Sequence, residues 1–191
     1  MDHDQDRHHR RSIRLRGHDY AQPGAYFVTV CTRDRESLLG DVVNGEMRLN
    51  GAGEIVRRCW VDIRRHFPHI ALDAGIIMPN HLHGIIVITE FRRGEASTVH
   101  IDAPKKRPEP DASPLRQHPN GTQPGSLSAI VQNFKSISTR KMNITRGTPG
   151  TPVWQRSFYE HVIRNDEDLN AIRQYILTNP ANWTTDENYC A

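Results

Sequence analysis

The 191-residue chain is long enough for one well-cored domain, and its 25% charged and 36% hydrophobic residues fit a globular protein with polar tails. Its apolar runs, such as Gly84 to Ile88, are too short to span a bilayer, and the polar start MDHDQDRHHRR has no secretory core, so cytoplasmic residence is expected. Three cysteines, odd in number and widely spaced, exclude a disulfide framework or zinc ribbon, and the net charge of +3 only hints at a polyanionic partner.

Residues 1–17 read as a flexible basic arm in which Arg7, Arg10, Arg11, Arg14 and Arg16 crowd together, either a solvated tail or a nucleic-acid contact. The domain is expected to follow over 18–181. AYFVTVCT (Ala25 to Thr32) is β-branched and aromatic and predicts a strand, with a short hairpin around Val43 to Gly45. From Glu54 to Phe67, the spacing of Val56, Cys59, Trp60, Ile63 and Phe67 predicts a helix with Arg57, Arg58, Arg64 and Arg65 on its other side. Pro68 ends it. Ile70 to Met78 and His81 to Ile88 predict an antiparallel strand pair joined at Pro79-Asn80.

Between 91 and 125 the texture changes. Half of the chain's 12 prolines fall from Pro104 to Pro124, no hydrophobic period survives, and a loosely ordered insertion is expected. Leu127, Ile130, Val131, Phe134 and Ile137 then form a helical stripe, with Lys135, Arg140 and Lys141 off it. VWQ (Val153 to Gln155) and FYEHVI (Phe158 to Ile163) are short strand candidates. Asn165 and Asp168 suit a helix N-cap, and that helix runs through Leu169, Ile172 and Ile176 to Pro180. Residues 182–191 read as a tail. The order implies an α+β fold, helices packed on one face of a mainly antiparallel sheet.

The chemistry centres on PNHLHG (Pro79 to Gly84). Random placement of 11 histidines in 191 residues gives about 0.6 His-x-His pairs, so the pattern alone means little. On a strand, however, His81 and His83 project to one face and Leu82 to the other. Two imidazoles so placed can share a divalent ion, with further ligands from elsewhere. Two satisfied core histidines are the alternative, although the apolar run around them offers few local partners.

PNHLHGIIVI resembles the His-hydrophobic-His signature of the HUH endonucleases. RRSIRLRGHDYAQPGAYFVTVCT, GEIVRRCW, IMPNHLHG and VWQRSFYEHVIRNDEDLNAIRQYILTNP, in that order, resemble the IS200-like tyrosine transposases, in particular those associated with repetitive extragenic palindromes (REPs). The resemblance spans about Arg11 to Pro180. It implies a ferredoxin-like (RRM-like) HUH domain and a divalent cofactor, magnesium or manganese, held by His81 and His83. It further implies a partner of single-stranded DNA carrying a hairpin, no membrane, and a monomer or a homodimer. A single tyrosine would attack a phosphodiester and leave a 5′-phosphotyrosine link with a free 3′-hydroxyl, reversibly, so that strands can be rejoined.

Of the five tyrosines, Tyr175 in IRQYILTNP matches the family's nucleophile position, and Tyr159 is its rival. Asn179, four residues on and on the same helical face, is the third metal ligand the resemblance implies. The following Pro180 biases Asn179 away from helical geometry. His161 is a further candidate, as ligand or supporting partner. Arg11, Arg14 and Arg16 with Lys135 and Arg140 would contact DNA. Two other readings stand beside this one: a catalytically silent, domesticated protein that binds hairpin single strands, and a metal-dependent hydrolase that needs no tyrosine.

Overall fold

The computed structural model describes residues 18–89 and 122–189. Arg11, Arg14 and Arg16, and all of the 91–125 insertion except its last four residues, lie outside the described residues. Four strands, β1 (Gly24–Cys31), β4 (Ile70–Met78), β5 (His81–Ile88) and β6 (Tyr159–Ile163), form one sheet in the order β4-β5-β1-β6. Every neighbouring pair is antiparallel. With α1 (Gly51–His66) after β1 and α2 (Leu127–Arg146) after β5, this is the βαββαβ succession of a ferredoxin-like domain. A separate hairpin, β2 (Gly40–Val43) and β3 (Glu46–Leu49), is inserted before α1. It turns through Asn44 and Gly45, both at positive φ, which suits the right-handed twist of paired strands.

The two faces of the sheet are covered differently. On one, Val56, Cys59, Trp60 and Ile63 of α1 and Leu127, Ile130 and Phe134 of α2 pack on Val28, Val30, Leu82 and Ile86. The expectation that the helices pack on one face holds for these two. The last helix, α3 (Asp166–Thr178), takes the opposite face, where Ile176, Leu169 and Ile172 meet Phe27 and Ile85. Arg173 clamps α3 to β4 through a bidentate pair with Asp73, at 2.8 and 2.6 Å.

Some local details depart from expectation. α1 starts at Gly51, earlier than Glu54, because the Asn50 side chain accepts from the N–H groups of Ala52 and Gly53 at 2.9 and 3.0 Å. Two glycines in the first turn hide that start from a hydrophobic pattern. Trp154 of VWQ makes only a single bridge, to Thr32. Asn179 stays helical (φ −55, ψ −43) despite Pro180. Residues 182–189, expected as a tail, fold back over the α3 face. There Trp183 is buried with its ring centroid 5.8 Å from that of His81. Among the described residues, no helix is long and apolar enough to cross a membrane.

Candidate functional site

β5 is an interior strand, so its histidines are buried: His81 is 0% and His83 1% exposed. Their Nε2 atoms face each other at 2.9 Å. The outer nitrogens are held by neighbours. Asn80 donates through Nδ2 to the carbonyls of Arg35 (3.1 Å) and Asn188 (2.8 Å), which turns its Oδ1 toward Nδ1 of His81 at 2.8 Å. His81 therefore carries its proton on Nδ1 and presents a bare Nε2. Thr29, cross-strand from His83, holds Nδ1 of that ring at 2.9 Å. Such outer hydrogen bonds orient imidazoles that ligate metals.

Burial pushes the His81 and His83 pKa values down, to about 4 and about 3, so both rings are neutral at pH 7. Neutral rings are the ligand form. Asp186 completes a group whose donor atoms lie within 4.8 Å of one another. Burial by itself would raise the Asp186 carboxyl. Hydrogen bonds from the Asn188 N–H and the Asn179 amide, with His81 beside it, more than offset this and hold its pKa below the usual range.

α3 brings Tyr175 and Asn179 to the same place. The Tyr175 hydroxyl donates to Asp186 Oδ2 at 3.2 Å and lies 3.2 Å from His83 Nε2. Burial, then the Asp186 charge, pushes its pKa up, so the phenol is protonated. Asn179 donates Nδ2 to Asp186 at 2.7 Å, and its Oδ1 is buried with no hydrogen-bond partner. Two neutral imidazoles, a carboxylate and an unpaired amide oxygen are a donor set that suits a divalent cation. The residues fit a metal. The cleft in front of them holds about 380 Å³ and is lined by Phe27, Tyr159, Tyr175, Asn179 and Asp186.

The other expected residues lie elsewhere. His161 is on the same face but aligns with Phe27, not Thr29, and bonds Asp168 at 2.9 Å. It is outside the cluster because one more step of the strand period carries it along β6, away from His83. Tyr159 lines the cleft and is 45% exposed. Lys135 donates to the carbonyls of Arg156 and Ser157 at 3.2 and 3.1 Å, on the side of the sheet away from α3. Arg140 is exposed on the same helix. Sequence reasoning missed Asp186 and Asn80. The one signal for Asp186 was Trp183, a large apolar side chain in a polar stretch, which marks that stretch as packed.

No family model matches the chain. It is 37% identical to an uncharacterised protein of Haemophilus influenzae over 182 residues, 95% of this chain and 94% of that one. A second H. influenzae protein, provisionally named a REP-associated tyrosine transposase, is 26% identical over 85% of this chain and 73% of its own length. Among solved structures, a REP-associated tyrosine transposase bound to a REP hairpin superposes with a TM-score of 0.53 at 22% identity, covering 87% of this chain and 72% of that one. The structural likeness establishes the shared fold.

Proposed function

We propose that the chain, similar in sequence to a protein provisionally named a REP-associated tyrosine transposase, acts as one: it binds hairpin-bearing single-stranded DNA and cuts and rejoins it through Tyr175. One observation carries the reading: the Tyr175 hydroxyl lies 3.2 Å from both His83 Nε2 and Asp186 Oδ2, beside the paired imidazoles. A nucleophile with an adjacent base and ligands is the arrangement covalent phosphoryl transfer requires.

In this reading the Tyr175 oxygen attacks phosphorus. The new O–P bond replaces the bond to the 3′-oxygen, which leaves as a hydroxyl after taking up a proton. The tyrosine proton passes toward Asp186 Oδ2, which already accepts from that hydroxyl. A magnesium or manganese ion held by Nε2 of His81 and His83 with Asp186 or Asn179 would supply Lewis-acid polarisation of the phosphate. Phe27 and the buried faces of the rings keep water from the nucleophile's inner side. The reaction would belong to the cytoplasm, where the DNA is.

A second reading, a silent hairpin-binding protein, is favoured by one feature: the phenol is held protonated in a site already closed by hydrogen bonds. One experiment separates the two. Labelled single-stranded hairpin DNA and manganese are mixed with wild type, Tyr175→Phe, Tyr159→Phe and His81→Ala, and run on a denaturing gel. A protein–DNA band in wild type and Tyr159→Phe alone supports the proposal. Binding without a band supports the silent binder, and cutting without a band assigns water as the nucleophile.

A further inference from the structure

Apart from the cleft at Tyr175, a groove of about 990 Å³ lies between α2 and the 147–158 segment, against the opposite face of the sheet. Its floor is apolar, with Val131, Val153 and Trp154 all buried. Its walls carry Lys135, Arg140 and Arg156, with hydroxyl and amide groups between them and, among the described residues, no acidic side chain. Arg140 and Arg156 make no ion pair with any described residue, whereas Lys135 spends two of its N–H bonds on the carbonyls of Arg156 and Ser157. Lys135 thus straps the groove wall in place.

The groove and the cleft meet at one edge of the sheet. Phe158 lines the groove, and the next residue, Tyr159, lines the cleft. Between them runs β6, which among the described residues is an edge strand paired with β1 alone. The wall is also fixed to the catalytic side. Gln155 donates its N–H to the carbonyl of Cys31 at 3.0 Å, and Cys31 is the cross-strand neighbour of His81. A chain lying in the groove therefore has a short path over the Phe158–Tyr159 edge to the hydroxyl of Tyr175.

We propose that the groove between α2 and residues 147–158 binds a single-stranded stretch of the DNA substrate, its phosphates on Arg140 and Arg156, and delivers the strand across the Phe158–Tyr159 edge to Tyr175. Three cations with no carboxylate among the described lining residues select a polyanion, and an apolar floor with an aromatic rim suits bases rather than a bare phosphate. The inference rests on the function proposed above, since it concerns the path of that substrate.

The test uses the full chain in the Tyr175→Phe background, which removes the nucleophile and leaves the groove intact. Binding of a labelled hairpin with a single-stranded flank is measured by anisotropy across a salt series. It is compared for Arg140→Gln/Arg156→Gln and for Arg58→Gln/Arg65→Gln, a pair on the outer side of α1. The groove pair should weaken binding at least tenfold and flatten the log–log salt slope by about 1.4, two single-strand phosphates at about 0.7 each. The control pair should move neither, and thermal melts establish that both variants fold. Equal effects from the two pairs, or none from the groove pair, overturn the proposal. Failure of the wild type to form a covalent adduct while the groove pair still loses affinity sinks the catalytic reading and leaves the groove standing. No binding by any form sinks both.

Discussion

Asp186 Oδ2 accepts a hydrogen bond from Tyr175 at 3.2 Å across eleven residues of sequence, so the nucleophile candidate is held by a carboxylate from the segment after its own helix. Burial does most to keep the phenol protonated, and the Asp186 charge adds to it. Asp186→Asn should therefore let Tyr175 ionise closer to the ordinary tyrosine value of about 10. Tyrosinate absorbance titrated in metal-free protein, with Tyr175→Phe subtracted, checks this. An unmoved titration would assign the whole effect to burial.

The same carboxylate, with His81 and His83, predicts how the protein responds to metal. Manganese at 100 times its Kd should stabilise the fold by about 2.7 kcal/mol, by mass action on the native state. His81→Ala should abolish that gain, and Asp186→Asn should weaken affinity about tenfold or more, the scale on which lost ligands and their supports act. The readout is the manganese dependence of Tm. If His81→Ala melts with the same dependence as wild type, the ion sits elsewhere.

Much of this site is legible in the sequence because it rests on two periods. His81 and His83 share a face by the strand repeat of two, and Tyr175 and Asn179 share one by the helix repeat. The strand pair that carries the histidines is read from its apolar runs, and α3's first turn is announced by Asn165. Asp186 obeys no period. It reaches the site because Trp183 packs beside His81, and its backbone neighbour Asn188 holds its Oδ1 at 2.7 Å. A segment placed by one buried tryptophan leaves no local pattern to read. His161 shows the converse limit: a period gives the face but not how far along it a side chain falls, and Asp168 claims this one.

Acid should destabilise the metal-free protein in a defined window. His81 and His83 titrate near 4 and 3 in the fold and near 6.5 when exposed, so the unfolded chain binds protons that the folded one refuses. Their contribution is fully present above pH 6.5 and is lost as pH falls from there toward the folded values. The slope is at most about 1.4 kcal/mol per pH unit for each proton. Denaturant melts between pH 7 and 5 should show the loss in wild type. A His81→Ala/His83→Ala protein should lack that part of it. Parallel curves for the two would mean that the rings are not neutral in the fold.

The last prediction concerns the glycine beside the histidines. Gly84 follows His83 on β5 and points to the helix-covered face, where a Cβ would run into the Trp60 ring. Gly75, its partner on β4, makes room for the same indole. Trp60 thus packs on the sheet behind the two histidines, and its size is accommodated by glycines rather than by a gap between α1 and β5. Gly84→Ala should overpack this contact and cost about 1–3 kcal/mol. Pairing it with Trp60→Leu should recover part of that loss, because the smaller side chain vacates the space the new methyl needs. The double-mutant cycle read from urea melts gives the answer: a favourable coupling between the two sites is expected. Additive losses would show that Gly84 is required for its backbone rather than for the indole. The manganese dependence of Tm in Gly84→Ala would then report whether a shift of β5 reaches His83.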